Sequence, residues 1–475
     1  MILPAILVIS FHQLQGPLVK ETKLFKVQKG KVSAGSISLS PDMAHYSYGT
    51  TDNKVVIDGV SYGPYFTHGT VLYSGDSKDF AFLAGMKANE PSSIYWNGVE
   101  RKTENPVSSM FRAGESGGIC WGEIKLVVTK DEQDPTKESR EVFTRLMHSD
   151  GATEWMEKIE KVYFSDDGSL FAMRISEKIP VKEVPPNSTG PTSRDYIVYK
   201  DGKKVLRGRT IQVFPSPGGQ GYATVSEGAT SSEAITSSEA ITSLNVFEVT
   251  FRGRTTKSKG EFYGKPVFSP DGKQFAFRNS FTGTTPDGRN IQYYQYNIGG
   301  FSIPDLQIQT GLTFAPDGKK WVMCGLNGKL PFIYLSNTGM MPYDEFPMLN
   351  GVPPEPYKAA RFANGKLVLL FQTARGNPIL FVEDKGIVDL GSLVALPETM
   401  SISPDGKRLL LGGSDIKESR AFSVDLQNPG PAVEILKKGY DLQNLGKGSF
   451  IWKSNTEAQF MILRNSELSR VQVTF

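Results

Sequence analysis

Phe268-Ser269-Pro270-Asp271-Gly272-Lys273-Gln274-Phe275-Ala276-Phe277 is the stretch that decides the fold. Proline presets φ for the second position of a tight turn, aspartate tolerates the bridge region, and glycine accepts positive φ. Ser-Pro-Asp-Gly therefore reads as a turn, and the short apolar runs on either side read as two strands joined by it.

The same pattern recurs along the chain. Ile402-Ser403-Pro404-Asp405-Gly406-Lys407 leads into Arg408-Leu409-Leu410-Leu411. Phe314-Ala315-Pro316-Asp317-Gly318-Lys319 leads into Lys320-Trp321-Val322-Met323, and Phe164-Ser165-Asp166-Asp167-Gly168 into Ser169-Leu170-Phe171-Ala172. Leu39-Ser40-Pro41-Asp42 and Pro215-Ser216-Pro217-Gly218-Gly219 are weaker copies. The first turn residues stand at 165, 216, 269, 315 and 403, so the steps are 51, 53, 46 and 88 residues, the last being two units of 44. Arg361-Phe362-Ala363-Asn364-Gly365-Lys366-Leu367-Val368 fills the missing unit.

Periods of roughly 40–50 residues belong to propellers or to helical repeats. Composition chooses strands. A second set of hairpin signals falls between the first: Asp58-Gly59, Asn97-Gly98, Asp201-Gly202 and Asn327-Gly328. Both residues of such a dipeptide accept positive φ, which a two-residue hairpin requires. Two turn types per unit give four strands, the content of one propeller blade. Tyr196-Ile197-Val198-Tyr199 and Ile291-Gln292-Tyr293-Tyr294-Gln295-Tyr296 are rich in strand formers. Only Glu154 to Tyr163 is ambiguous, since Trp155 and Ile159 would share a helix face. The expectation is an all-β chain, a β-propeller of four-stranded antiparallel blades. Phe275, Phe277, Trp321 and Leu409 should fill the spaces between blades. Up to ten candidate units can be counted, but single rings usually hold four to eight blades, so one ring of seven or eight is expected, with two smaller rings or one larger ring as the alternatives.

The Ser-Pro-Asp-Gly-Lys signature resembles the TolB-type propeller repeat, which shares its blade architecture with WD repeats. The copies at Ser269 and Ser403 match in full, and those at Ala315 and Ser165 depart by one residue before the glycine. The resemblance covers residues 30–475 and is thin from 74 to 160. It implies a propeller and a periplasmic or otherwise exported setting. Proteins of many functions share the repeat, so it transfers no function.

Bulk composition narrows the rest. With 39% hydrophobic and 22% charged residues among 475, the chain can bury a large core and is not disordered. Fifty-three Lys and Arg against 50 Asp and Glu leave a net charge of +3, which argues against a nucleic-acid groove. The most basic stretch, Arg252 and Arg254 through Lys257 and Lys259 to Lys265, reads as a solvated loop and strand face. The two cysteines, Cys120 and Cys324, read as buried free thiols, with one disulfide as the alternative in an oxidising compartment. Ile2 to Phe11 is an apolar run too short to span a bilayer, which needs about 20 residues. It suits a signal peptide over residues 1–16, ending near Gly16, or else a first strand that closes the ring. Residues 17–475 then form the propeller, with no integral membrane segment. Ser231–Thr236 is duplicated as Ser237–Thr242, and this segment and Pro185, Pro186 and Pro191 read as surface loops.

Chemistry-bearing motifs are few. Gly114-Glu115-Ser116-Gly117-Gly118 matches the Gly-x-Ser-x-Gly nucleophile pattern, which needs a helix after the serine. Ile119 to Thr129 reads as a strand instead, so the motif is read as a glycine-rich blade turn. Of the four histidines, His12, His45, His68 and His148, only His148 follows Ser116, and none has metal-ligand spacing. Asp42, Asp167, Asp271, Asp317 and Asp405 suggest calcium, but their turn position already explains them. Ser165-Asp166-Asp167-Gly168 is also similar to a sialidase Asp-box, with its glycine one place early. Asn187-Ser188-Thr189 has the form of a glycosylation sequon. No catalytic, cofactor or metal site is assigned. The expected function is an exported binding or scaffold propeller that contacts a protein, peptide or glycan through its rim and central channel. The alternative is a lyase, lactonase or glycan hydrolase with its site in the channel.

Overall fold

The computed structural model describes residues 17–26, 31–32, 36–85, 93–130, 138–148, 151–178, 192–209, 211–227, 246–284, 289–299, 301–308, 312–327, 330–336, 339–342, 358–372, 377–391, 394–414, 419–436, 450–464 and 466–475. Apart from one short 3-10 turn at Pro217–Gly219, the regular structure among them is β-strand.

The strands form an all-β propeller of ten antiparallel blades, not seven or eight. Blades 1 to 9 occupy residues 38–62, 67–101, 107–152, 158–209, 211–259, 261–308, 313–342, 359–389 and 394–434. Blade 10 combines residues 451–474 with Leu18–Lys26. In most blades four consecutive strands pair in sequence order. Blade 2 has its first strand in two pieces, Thr67–His68 and Leu72–Tyr73, which both pair with Phe80–Gly85. The last strand of blade 6, Phe301–Ile308, continues past its own blade to pair with Trp321–Asn327 of blade 7.

Up to ten units can be counted in the sequence, and the expectation of seven or eight comes from the usual size of single rings; blades 2, 3 and 10 are the hardest to read. Blades 2 and 3 turn without proline, through Ser74-Gly75-Asp76-Ser77 and Ala113-Gly114-Glu115-Ser116-Gly117-Gly118, so the signature is hidden between 74 and 160. Blade 10 is assembled from two distant segments, with Leu18 opposite Thr474 and Lys26 opposite Glu467. Residues 1–16, including the apolar run and Gly16, lie outside the described residues, as do Asn187 and the duplicated 231–242 segment.

The chain divides into two compact units: Val27–Arg375, and Met1–Lys26 with Gly376–Phe475. Blades 1 to 7 and the first two strands of blade 8 belong to the larger unit. The last two strands of blade 8, blade 9 and blade 10 belong to the smaller.

The second strand of each blade shows why the repeat is apolar on both sides of its turn. In Leu170–Lys178, Phe171, Met173 and Ile175 point into a cluster with Cys120 and Leu146 of blade 3. Leu170 and Ala172 point the other way, toward Val213 of blade 5. Successive side chains of a strand face opposite sides, so a strand buried on both faces reads as a continuous apolar run. Phe275 and Phe277 pack on Phe214 and Phe247 of blade 5, while Ala276 between them joins Trp321 and Met323 of blade 7. In the smaller unit Leu410 and Ala421 meet Phe460 and Val471. Phe275, Phe277, Trp321 and Leu409 are all buried, as expected.

The ambiguous 154–163 stretch is not helical. Met156 bridges to Thr144 and Lys158–Phe164 is the first strand of blade 4. Trp155 lies against Arg145 and Lys125 of blade 3, which places its apolar surface without a helix face. Cys120 and Cys324 are both buried and form no disulfide with each other.

Candidate functional site

The repeated turn is a hydrogen-bonded unit. Ser269, fully buried, donates from Oγ to Asp271 Oδ1 at 2.6 Å and accepts the Gln274 N–H at 2.8 Å. Asp271 Oδ1 also accepts the Lys273 N–H at 3.0 Å. The same pattern appears at Ser40–Asp42, Ser74–Asp76, Ser165–Asp167 and Ser403–Asp405, with Oγ to Oδ1 distances of 2.6, 2.7, 2.7 and 2.8 Å. In the Ala315 copy, Asp317 still accepts the Lys319 N–H at 3.0 Å. The five aspartates that suggested calcium thus each hold their own turn. Among the described residues, no three His, Cys, Asp or Glu side chains gather as ligands for one ion.

Adjacent turns in the larger unit also bind one another. The Asp42 N–H donates to Ser77 Oγ at 3.1 Å, the Gly75 N–H to Gly117 O at 2.8 Å, and the Ser116 N–H to Asp166 O at 2.7 Å. Gly219 lies so close to Ser169 that a Cβ there would be 2.0 Å from its Oγ. The Gln274 amide donates to Gly318 O at 2.9 Å, and Lys320 Nζ to Gly365 O at 3.0 Å. One face of this unit therefore carries a line of interlocked turns.

The Gly-x-Ser-x-Gly motif belongs to that line. Ser116 Oγ donates to Asp166 O at 3.0 Å. The glycines around it are required by space: a Cβ on Gly114 would lie 2.1 Å from Ser165 O, and one on Gly117 1.7 Å from Ala113 O. Ile119–Lys130, which follows, is a strand. His45 pairs with Asp58 through Nδ1 at 2.7 Å and stacks on Tyr73. His68 packs against Gly49, and His148 sits edge-on to Phe171 with ring centroids 5.3 Å apart. His12 lies outside the described residues.

The same face carries a groove of about 1080 Å³ across blades 5, 6 and 7. Its walls are aromatic. Phe251 packs on Phe275 at 5.4 Å between centroids, Phe275 on Phe277 at 5.8 Å, and Trp321 stacks on Tyr334 at 5.4 Å. Its charged lining is basic: Arg252, Arg254 and Lys273. Lys273 Nζ lies 3.5 Å from Asp271, whose carboxyl is held below the usual carboxylate range by the Ser269 hydroxyl and the Lys273 amide. Among the described residues, no carboxylate lines the groove and neither Arg252 nor Arg254 forms an ion pair. Arg252, Arg254, Lys257 and Lys259 of the basic stretch are solvent-exposed, as its composition suggests, but the two arginines also border this groove. Sequence reasoning assigned no role to Phe251, Tyr334 or Ser336, which distant strands bring together.

A second cluster lies in blades 2 and 3. Buried Glu123 accepts two bonds from Arg145, at 2.8 and 3.0 Å, and one from Trp121 Nε1 at 3.3 Å. Arg145 lies 4.5 Å from the Trp155 ring centroid and Arg101 lies 4.8 Å from that of Trp96. Here Glu123 balances the Arg145 charge.

The chain matches no protein-family model and no curated protein. Among solved structures it is similar to the Dos1 propeller, at 10% identity and a TM-score of 0.35, over 95% of this chain and 94% of that one. It is also similar to the β-propeller domain of the Trilobed protease from Pyrococcus furiosus, at 11% identity and a TM-score of 0.28, over 68% of this chain and 95% of that one. TolB from Acinetobacter baumannii aligns at 11% identity and a TM-score of 0.24, over 74% of this chain and 79% of that one. Scores this low support no inference about function. The strand order and register of the ten blades identify the chain as a β-propeller.

Proposed function

We propose that the chain is an exported, non-catalytic binding propeller whose ligand seat is the groove on the turn face of blades 5 to 7. The observation that carries this reading is the groove itself: about 1080 Å³, with aromatic side chains in its walls and, among the described residues, two arginines, Arg252 and Arg254, that form no ion pair. Ligand seats are concave and mostly apolar, with a few polar groups that fix orientation. The motif that most suggests catalysis, around Ser116, is engaged in joining blades 2, 3 and 4. The partner is a protein, peptide or glycan. Export is supported by the apolar run Ile2 to Phe11 and by the TolB-type signature.

Thr255 tests the seat without touching the core. It is exposed, lines the groove and lies on a strand, where an aromatic residue is well tolerated. Wild type and Thr255→Trp should be screened against peptide and glycan arrays. Wild type should retain one ligand class and Thr255→Trp should lose it while melting at the same temperature. Full retention by Thr255→Trp, or no ligand for wild type, would refute the reading. N-terminal sequencing of the protein recovered from a bacterial periplasm tests export. A chain beginning near position 17 is expected; an intact Met1 in the cytoplasm would refute it.

A further inference from the structure

Three outer hairpins carry a side-chain cap that blade 5 lacks. In blade 1 the turn is Asp58-Gly59, and Asp58 Oδ1 accepts the Tyr46 N–H at 3.0 Å. In blade 2 it is Asn97-Gly98, and Asn97 Oδ1 accepts the Phe80 N–H at 2.9 Å. In blade 7 Ser336 Oγ accepts the Trp321 N–H at 3.1 Å. In these three blades the residue after the third strand caps the start of the second.

In blade 5 this residue is Arg252. Phe251 pairs with Ala223, so the amide in the capped position is that of Tyr222. An arginine has no acceptor with which to cap it. Arg252 also adopts φ +51°, and Gly253 φ +72°. Positive φ is costly for L residues, and Asn and Asp offset it with short local hydrogen bonds that Arg cannot make. Among the described residues, ten other than glycine have positive φ, and Arg252 alone of these bears a long cationic side chain. Backbone cost of this kind concentrates at functional positions.

What Arg252 gains is its place. Its guanidinium lies 5.7 Å from the Phe251 ring centroid, at the groove edge beside Arg254 and Lys273. We infer that Arg252 is kept in this unfavourable turn because the groove binds an acidic peptide, its carboxylates on Arg252 and Arg254 and its apolar side chains against the aromatic walls. The inference rests on the groove being the ligand seat and goes further by naming the ligand's chemistry. Arginine suits this role because its planar fork meets a carboxylate through two parallel hydrogen bonds. The groove is also large enough for several residues of an extended segment. Three cations on one groove do not make the broad basic face that a nucleic-acid backbone needs.

The test uses Arg252→Asn, which should improve the fold while weakening the site. The new side chain restores the Asn-Gly dipeptide and supplies an acceptor for the Tyr222 amide. Binding of fluorescein-labelled (Glu-Tyr)4, (Gln-Tyr)4 and (Lys-Tyr)4 should be followed by anisotropy for wild type, Arg252→Asn, Arg254→Gln and Thr255→Trp. Wild type should prefer (Glu-Tyr)4, with affinity falling as salt rises. Arg252→Asn should bind it at least tenfold more weakly yet unfold at a higher denaturant concentration, and Arg254→Gln should lose a similar factor. Equal binding by wild type and Arg252→Asn overturns the inference, as does preference for the neutral or basic peptide. So does tighter binding of a mixed-sequence single-stranded DNA. If Thr255→Trp abolishes binding while both arginine variants retain it, the groove remains the seat and only the acidic ligand is refuted. If Thr255→Trp binds like wild type, the seat is refuted too.

Discussion

Gly75→Ala and Ser116→Ala, made side by side, distinguish a blade seam from a nucleophile. Gly75 has no positive φ, so alanine costs its own backbone little. Its Cβ, however, would stand 2.2 Å from Ser116 Cα and 2.3 Å from both Glu115 O and Ser116 C. All three are backbone atoms and cannot rotate aside, so the two turns must separate by about 1 Å or more to restore ordinary contact distances. Overpacking of this kind costs about 1–3 kcal/mol. Separation also breaks the 2.8 Å bond from the Gly75 N–H to Gly117 O, which adds about 0.5–1.5 kcal/mol. The expected loss is therefore about 2–4 kcal/mol. Ser116→Ala removes one exposed hydroxyl bond of 3.0 Å and leaves the Ser116 N–H on Asp166 O, so its cost should stay below about 1 kcal/mol. Urea unfolding midpoints measure both, and turnover of a p-nitrophenyl acyl ester measures any hydrolytic role. A Gly75→Ala protein as stable as wild type would refute the seam. An esterase activity abolished by Ser116→Ala would refute the reading of the motif.

Three further outcomes follow from the same geometry. Ser269→Ala removes a charge-assisted bond to Asp271 and leaves the Gln274 N–H without its acceptor, so unfolding should become easier by about 2–4 kcal/mol. A wild-type midpoint would show that the turn serine is dispensable. Glu123→Gln leaves Arg145 largely buried without its counter-charge, and the loss should approach the ~3–5 kcal/mol of a broken buried pair; an unchanged midpoint would place Arg145 in solvent. The turn carboxylates also predict acid lability. The Ser74 hydroxyl and Lys78 lower Asp76 from 3.8 to about 2, and the Ser269 hydroxyl chiefly lowers Asp271. A depressed folded pKa means the unfolded chain binds more protons, so this stability is present above about pH 4 and is lost as pH falls toward 2. An Asp76→Asn, Asp271→Asn double variant should show a shallower fall in midpoint over that range, and an unchanged slope would contradict the assignment.

Much of the fold is legible because each blade repeats the same local physics. Ser-Pro-Asp-Gly is readable wherever proline fixes the second turn position, and Asp-Gly or Asn-Gly wherever a two-residue hairpin closes. Up to ten units can be counted, and only the usual size of single rings argues for fewer; individual blades are harder to read where those residues are absent. Ser74-Gly75-Asp76-Ser77 makes the same serine–aspartate bond without proline, and blade 3 turns through glycines chosen by the neighbouring turns. Leu18–Lys26 joins blade 10 by pairing with Glu467–Thr474, a contact no local pattern encodes. The groove was less legible still. Trp321 and Phe275 read as core, which they are, and Arg252 as a solvated charge. Their meeting depends on how blades 5, 6 and 7 stack. One local signal did point to it: Arg252-Gly253 stands where other blades place Asp or Asn before glycine.

Hydrogen exchange with and without (Glu-Tyr)4 tests most directly whether the turn-face groove is the place where this propeller meets its ligand. Added protection is predicted in segments 249–256, 273–277 and 321–336, and nowhere else to the same degree. Protection centred on Trp96, Trp121 and Trp155 in blades 2 and 3, with the groove segments unchanged, would contradict it.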